Sequence, residues 1–239
     1  MMNQNTKPIS VMKFDIFYHI YLLNNWFDIV IEQVDYLKKS LLFENSEIKI
    51  GVLYNQYDEK EINKLKNIFS NEENVTFLFI KNNNGAAESN TLECLKRYSD
   101  SLVENRNILY IHTKGVTQYK SIREIPVREW RKMMEYFLIE GWENCIEKLN
   151  KGYDCCGVNY QNHAATIDGS RKLIKIFNGN FFWVNSDYIK KLNVDSLFEH
   201  SHSSENWLTS ENHNPFSFYN TPSNLDLYYQ INENYKIKE

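Results

Sequence analysis

The segment NILYIHTKG, from Asn107 to Gly115, carries the strongest evidence for the fold of this chain. Residues 108–111 are consecutively apolar or aromatic, as in a parallel strand that is buried on both faces. The four residues that follow, HTKG, bring an imidazole and an ammonium group to the end of that strand. Because open α/β sheets bind ligands at the carboxyl ends of their strands, this ending predicts a functional site.

Three alternating segments before residue 107 predict repeated strand and helix units. The predicted strands are KFDIFYHIY (13–21), EIKIGVLYN (47–55) and NVTFLFIKN (74–82). The segments between them carry apolar residues at helical spacing, at 24–42, 59–70 and 82–102. The order predicts an α/β fold with a mostly parallel sheet and helices on both of its faces.

The second half of the chain has a different pattern. Residues 125–152 predict a long helical segment, with a proline near its start and a glycine near its end. YDCCGVNY (153–160) predicts a short strand, and KIFNGNFFWVNSDYIKKL (175–192) predicts a strand followed by a helix. The remainder is polar and irregular, and 239 residues predict a single domain with one core.

Composition argues against several classes of partner. The formal net charge of -4 and the pI of about 5.9 do not favour nucleic acid or an anionic membrane. Neither a signal peptide nor an 18-residue apolar run is recognisable, which predicts a cytoplasmic protein without a transmembrane segment and leaves peripheral membrane contact open. The four cysteines lack C-x-x-C spacing and are expected to be buried free thiols.

Polar residues at two helices are candidates for ligand contacts. Glu88 and Thr91 belong to the turn and helix start after the third strand, where they can face a ligand or simply cap the helix. Arg128 and Arg131 are three residues apart and share a helix face, as would suit a phosphate or carboxylate. A solvated or salt-bridged helix face is the alternative for the two arginines.

Two later segments also contain candidates. In FNGNFFW, Gly179 and Asn180 would allow a ligand to approach the backbone, and Trp183 could pack in the core or form a stacking wall. FEHSHSSENWL contains His200, His202 and Glu205. This spacing could supply metal ligands or a carboxylate at a helix start, or it could be a polar surface loop.

Taken in order, these segments resemble a known family. LYIHTKG (109–115), EWRKMM (129–134), GNFFW (179–183) and ENWL (205–208) are similar to motifs of small glycosyltransferases with a GT-A fold, which are family-two-like enzymes. YHIY (18–21) and ESNTL (88–92) resemble the first and third loops of that family. The resemblance covers most of residues 13–208.

The resemblance implies a hexosyl transfer from a nucleotide sugar to a hydroxyl of a carbohydrate or glycan acceptor, as in polysaccharide synthesis. A UDP-sugar is the expected co-substrate. Residues 11–115 would form the nucleotide-sugar half, 116–208 the acceptor half, and 209–239 a tail or cover. It also implies roles for individual residues. The catalytic residue would be Glu205, and Trp183 and Trp207 would form a wall for the acceptor or the sugar. The donor-binding residues would be Tyr18, His19, Glu88, Thr91, His112, Lys114, Arg131, Gly179 and Asn180.

One departure from the family pattern concerns the metal. The family fold usually places an Asp-x-Asp motif at the end of the fourth strand, where its carboxylates hold Mn²⁺ or Mg²⁺, but this chain has His112-Thr113-Lys114 there. Departure of a diphosphate builds negative charge that the enzyme must stabilise. Lys114 could do so directly, with Arg128 or Arg131 assisting. Alternatively, His112 could bind a metal together with His200 or His202.

Other classes of protein remain as alternatives. A nucleotide- or sugar-binding module that has lost catalysis would explain the missing Asp-x-Asp. A metal-dependent hydrolase would use His112, His200 and His202. A nucleotide-dependent dehydrogenase is less favoured, because no G-x-G-x-x-G follows the first strand.

Overall fold

The computed structural model describes residues 14–83, 85, 87–167, 170–199, 203–222, 225–231 and 235. The strands in this part of the chain are β1 Phe14–Leu22, β2 Ser46–Tyr54, β3 Val75–Asn82, β4 Asn107–His112, β5 Cys155–Gly157, β6 Tyr160–Ile167, β7 Ser170–Phe177, β8 Phe182–Asn185 and β9 Pro215–Ser217. The α-helices are α1 Trp26–Lys39, α2 Glu59–Ile68, α3 Ser89–Ser101, α4 Glu124–Glu135, α5 Trp142–Asn150, α6 Ser186–Ile189 and α7 Ser203–Trp207.

A seven-stranded sheet organises the fold. Its strand order is β3-β2-β1-β4-β8-β5-β9. The first four strands pair in parallel, whereas β8 runs antiparallel to both β4 and β5. The predicted α/β class with a mostly parallel, Rossmann-like sheet is therefore confirmed.

The sheet order changes direction between β1 and β4. The chain moves outward from β1 through β2 to β3, and then returns to place β4 on the other side of β1. His19 and His112 are the last register partners of these two strands, and β4 ends at His112. Ligands of open α/β sheets bind at such a reversal, so the topology places a cleft there.

The side chains of β1 alternate between two hydrophobic clusters, one on each face of the sheet. Ile16, Tyr18 and Ile20 belong to the larger cluster, to which α1, α2, α4 and α5 contribute. Phe17 belongs to the smaller cluster, which α3 and α6 help to cover. This alternation follows from the two-residue period of a strand. The sheet thus divides what was expected to be one core into two layers, with helices on both faces.

The long helical segment predicted at 125–152 consists of two α-helices joined by a π-helical turn. Helix α4 passes into a π-helical turn at Tyr136–Glu140, and α5 begins after Gly141. The Gly141 amide donates to the Tyr136 carbonyl, five residues back, which inserts one extra residue between the helices.

The single strand predicted at the start of 175–192 is wrong, because two strands occupy this segment. β7 ends at Phe177 and β8 begins at Phe182, and between them Gly179 and Asn180 have φ angles of 100° and 56°. β7 pairs with β6 in a separate two-stranded sheet, which the sequence did not predict.

The segment after residue 209 is more ordered than expected. β9 pairs in parallel with β5 and so extends the main sheet. In the part of the chain that the structure describes, no helix has the length and apolar character needed to cross a membrane.

Candidate functional site

A cavity of about 240 Å³ lies at the carboxyl ends of β1 and β4, and we call it the first cavity. The Thr113 amide donates to the His19 carbonyl, and the Tyr21 amide donates to the Thr113 hydroxyl at 3.0 Å. These bonds continue the contact between the two strands beyond their last paired residues. The polar and charged side chains that line the cavity include His19, Asn83, Glu88, His112, Lys114, Gln118, Glu205 and Tyr228.

Lys114 brings a cation into the first cavity. Its side chain is almost buried, with Nζ 3.8 Å from the centroid of the Trp130 ring and 5.9 Å from that of Tyr228. Burial lowers the pKa of Lys114, and the carboxylates of Glu205 and Glu88 oppose that shift. Among the described residues that line the cavity, Lys114 is the only lysine or arginine.

The two histidines of the first cavity are neutral at neutral pH. Burial lowers the pKa of His112 to about 3 and that of His19 to about 4. His112 Nε2 lies 2.9 Å from the Gly179 carbonyl oxygen and must carry the proton, because a carbonyl can only accept. His19 Nδ1 lies 2.8 Å from the Thr91 hydroxyl, so Thr91 orients His19 from a fully buried position.

Glu88 connects helix α3 to the far wall of the first cavity. Its Oε2 accepts hydrogen bonds from Asn180 Nδ2 at 2.7 Å and from the Tyr110 hydroxyl at 3.3 Å. Its other oxygen lies 3.5 Å from His112 Nδ1. Asn180 therefore acts through Glu88, and the predicted residues Glu88, His112 and Asn180 do come together.

Gly179 occupies a place where no side chain fits. A Cβ atom there would lie 2.5 Å from Met134 Sδ and 3.1 Å from Trp130 Cε2, and the positive φ angle adds strain for other residues. The Gly179 carbonyl is the acceptor for His112. The sequence predicted that a ligand approaches the backbone of this glycine. In the structure, side chains of α4 approach it instead.

Arg131 lies beneath the first cavity. It is 3% exposed, donates from Nη1 to the Lys114 carbonyl at 3.1 Å, and forms ion pairs with Glu32 and Glu135. Arg128 is exposed beside Glu129. The expectation that both arginines share a ligand-facing surface is therefore wrong. The two side chains point in different directions around the axis of α4, so that Arg131 is buried and Arg128 is exposed.

Tyr18 also lies beneath the cavity and has no exposed surface for a donor. Its hydroxyl donates to Gln33 Oε1 at 2.5 Å, and Gln33 Nε2 donates to the His112 carbonyl at 3.2 Å and to Glu135 at 2.8 Å. Burial raises the pKa of Glu135 to about 7. This buried polar network supports the backbone at the end of β4 from below.

A larger cavity of about 370 Å³, the second cavity, adjoins the first. Glu205 and Tyr228 line both cavities. Glu205 belongs to the short helix α7, and Tyr228 lies in the described segment 225–231 near the C-terminus. The other lining residues of the second cavity are Trp130, Gln161, Asn162, His163, Asn178, Gly179, Thr221, Leu225, Asp226 and Leu227.

Trp183 and Trp207 do not form the predicted sugar wall. Both are buried, with Nε1 of Trp183 donating to the Leu138 carbonyl and Nε1 of Trp207 donating to the Asn193 carbonyl. Trp130 and Tyr228 are the aromatic residues at the second cavity instead, with ring centroids 5.3 Å apart. Trp130 could have been found from the EWR segment, but Tyr228 lies in a polar segment without a pattern.

The residues described at the site do not fit a divalent metal. His200 and His202 lie outside the described residues, and His112 donates its Nε2 proton to the Gly179 carbonyl, so that only its Nδ1 could bind a metal. Within the described ranges, no group of three or more His, Cys, Asp or Glu side chains could hold a metal ion. The ammonium of Lys114 also lies in the cavity where a divalent cation would be needed.

Fold and site together define an α/β protein with a ligand cleft at the reversal point of its sheet. More particularly, the chain belongs to a family described as a domain of unknown function, DUF8361, whose model matches residues 17–228. A comparison with curated proteins gives no match.

Proposed function

We propose that this chain is a glycosyltransferase that moves a sugar from a nucleotide-sugar donor to a hydroxyl of a carbohydrate acceptor. The observation that carries the proposal is the position of Glu205, which lies on the boundary of two cavities while Lys114 lies in one of them. A transferase needs a place for the donor, a place for the acceptor and a catalytic group between the two. The motif resemblance at residues 109–115, 129–134, 179–183 and 205–208 supports the same class.

In this proposal the first cavity holds the donor. The diphosphate leaving group gains negative charge as its bond to the anomeric carbon breaks. Lys114 is the cation placed to neutralise that charge, and its partial desolvation strengthens its interaction with a phosphate oxygen. The neutral His112 and His19 can contribute hydrogen bonds but no charge at neutral pH.

Glu205 is the proposed general base. It would take the proton from the acceptor hydroxyl while that oxygen attacks the anomeric carbon, and general base catalysis contributes about 10²–10⁴ in rate. Glu205 and Tyr228 line both cavities, and we call them the shared wall. A base on this wall suits such a proton transfer, because the attacking hydroxyl would come from one cavity and the sugar from the other.

A second candidate function is a nucleotide- or sugar-binding module without catalysis. Glu88 and Glu205 place two carboxylates beside the single ammonium of Lys114 in the first cavity. That charge balance weakens the attraction for a diphosphate and favours an uncharged sugar as ligand. A metal-dependent hydrolase receives no support from the described residues.

The expected cytoplasmic location belongs to the same proposal. All four cysteines are free, and three of them are buried. Free thiols are typical of reducing compartments, which are also where nucleotide sugars are made.

A thermal-shift screen tests the proposal. Purified protein would be heated with UDP-, GDP- and CMP-sugars, each with and without Mn²⁺, since a ligand that binds the folded state raises its melting temperature. Release of the nucleotide from the stabilising donor, which is UDP or GDP from the diphosphate donors and CMP from a CMP-sugar, would then be measured with a mixture of sugar acceptors. Turnover supports the transferase, binding without turnover over hours supports the module, and the absence of any donor binding contradicts the transferase proposal.

A further inference from the structure

The second cavity has a chemistry of its own. Its polar lining consists largely of amide and hydroxyl groups, which can both donate and accept hydrogen bonds. No lysine or arginine is among the described residues that line it, whereas Glu205 and Asp226 contribute carboxylates. An anionic ligand would meet like charge in this cavity, because Lys114 lies outside the lining and already interacts with the carboxylates of Glu205 and Glu88.

Trp130 offers an unused hydrogen-bond donor at the same place. Its indole Nε1 is buried and has no acceptor among the described residues, although the side chain lines the cavity. An unpaired buried donor destabilises a fold, so its presence is better explained by a ligand oxygen than by packing.

Two asparagines add to this unused capacity. The side chains of Asn162 and Asn178 make no hydrogen bond with the part of the chain that the structure describes. Gln161, by contrast, is held by a hydrogen bond of 2.6 Å from its Nε2 to the Thr221 carbonyl. The cavity therefore combines a fixed amide with two amides that can turn toward a ligand.

A cationic ligand fits less well than a neutral one. The face of the Trp130 ring already carries the Lys114 ammonium at 3.8 Å from its centroid. A second cation against the same ring would meet the positive charge of Lys114 at close range. The Glu205 carboxylate thus already interacts with Lys114 and does not need a cationic ligand.

We propose that the second cavity binds an uncharged, polyhydroxylated ligand, namely the end of a neutral saccharide. Hydroxyl groups donate to the carboxylates and amide oxygens, and they accept from the Trp130 indole and the amide nitrogens. The aliphatic face of a sugar ring packs on the aromatic surface of Trp130 and Tyr228. That this saccharide is the acceptor of the transfer reaction rests on the proposed function, whereas its binding does not.

Ligand-observed NMR with the full chain tests the inference. The neutral probes are methyl β-glucoside, methyl β-galactoside and cellobiose, and the charged probes are glucuronate, glucose 6-phosphate and glucosamine. We expect at least one neutral probe to bind and the charged analogues to bind at least fivefold more weakly. Binding of a charged probe as strongly as its neutral counterpart would overturn the proposal. Binding of none of the neutral probes at concentrations up to about 100 mM, a range that detects even very weak affinities, would overturn it as well.

Three variants locate the binding. Trp130→Phe removes the indole N–H while keeping a ring, and Asn162→Ala removes an amide from a strand that is exposed at this position. Each is expected to weaken the neutral probe at least fivefold. The matched control is Asn144→Ala, an exposed asparagine that lines a separate cavity beside Tyr136 and Phe137. Equal binding by the wild type and all three variants would place the saccharide elsewhere and overturn the assignment. If Trp130→Phe fails to fold, Asn162→Ala still tests it.

Failure of this inference is distinguishable from failure of the proposed function. Saccharide binding that depends on Trp130 and Asn162, in a protein that binds none of the nucleotide sugars, supports the saccharide site and contradicts the transferase. Donor turnover without neutral saccharide binding supports the transferase and overturns the saccharide site.

Discussion

The two cavities share a wall but differ in charge. The first cavity contains Lys114 and two buried histidines that are neutral at neutral pH, and the second is lined by amides, an indole and carboxylates. The difference arises from topology. The ends of two parallel strands build the first cavity, whereas β6, residues 178–179, α4, residue 221 and residues 225–228 build the second. A cavity that contains a cation and a cavity whose described lining contains none can thus lie next to each other, because different parts of the chain supply them.

Removing the carboxylate from the shared wall should have the largest effect. We expect Glu205→Gln to reduce turnover by about 10²–10⁴, equivalent to about 3–5 kcal/mol of barrier, because no base would then receive the acceptor proton. Donor affinity should stay nearly unchanged. Initial rates of nucleoside diphosphate release and donor titrations measure the two quantities.

Glu199→Gln is the control for this experiment. Glu199 is exposed, precedes α7 and lines neither cavity. Equal turnover of the wild type and Glu205→Gln would show that Glu205 is not the base and that the shared wall has no special role in catalysis.

The neutral histidines of the first cavity should make stability depend on pH. Burial lowers the pKa of His19 from 6.5 to about 4, so between these values the unfolded chain binds more protons than the folded one. The contribution of His19 to stability is present above pH 6.5 and is lost as pH falls toward 4, by up to about 3 kcal/mol.

The variant His19→Asn isolates that contribution, because asparagine can still bond to the Thr91 hydroxyl but does not titrate. Urea unfolding of both proteins at pH 7, 5.5 and 4.5 gives the dependence of the free energy of unfolding on pH for each protein. The other titrating groups cancel in the difference between the two slopes. We expect the shallower dependence for His19→Asn. Equal slopes would show that His19 is not held neutral by the first cavity.

Removing the cation should weaken donor binding in the first cavity alone. A hydrogen bond to a charged group contributes about 1.5–3 kcal/mol, so we expect Lys114→Gln to raise the donor Kd by about 10–100-fold. Lys120→Gln, at an exposed position in the same loop, is the matched control. If saccharide binding in the second cavity falls as much as donor binding, the two cavities are not chemically separate.

Opening the shared wall should have the smallest effect. Tyr228→Leu removes the edge-to-face contact with Trp130, and such aromatic pairs contribute about 0.5–1.5 kcal/mol to stability. Urea unfolding measures that loss. Hydrolysis of the donor should also increase relative to transfer, because water reaches the first cavity more easily. An unchanged ratio would show that Tyr228 does not separate the two cavities.

The first four strands could be predicted from the sequence because each is an apolar run next to a segment with helical spacing. The predicted β1 ends one residue before the strand in the structure does, and its first residue, Lys13, lies outside the described residues. The same patterns placed His112 and Lys114 at the end of a buried strand, where the structure has them. Local sequence thus contained enough information to locate the first cavity.

The second cavity could not be predicted, because long-range packing creates it. β6 carries polar residues without the apolar alternation of a half-buried strand, so the β6–β7 hairpin was not recognised. Aromatic content alone did not distinguish the buried Trp183 from Trp130, which lines a cavity. Tyr228 reaches the site from a distant polar segment, and only the tertiary structure brings it to Lys114 and Trp130.

The contact between Gly179 and His112 offers a way to sort related sequences. Since a Cβ at 179 would collide with Met134, and since the carbonyl of this residue fixes the imidazole at the end of β4, the two positions should change together. Among members of the family, chains that keep both residues should keep the first cavity in its present form. Chains that replace the glycine should also have replaced the histidine, and such chains are the ones in which to look for a different chemistry at the same sheet edge.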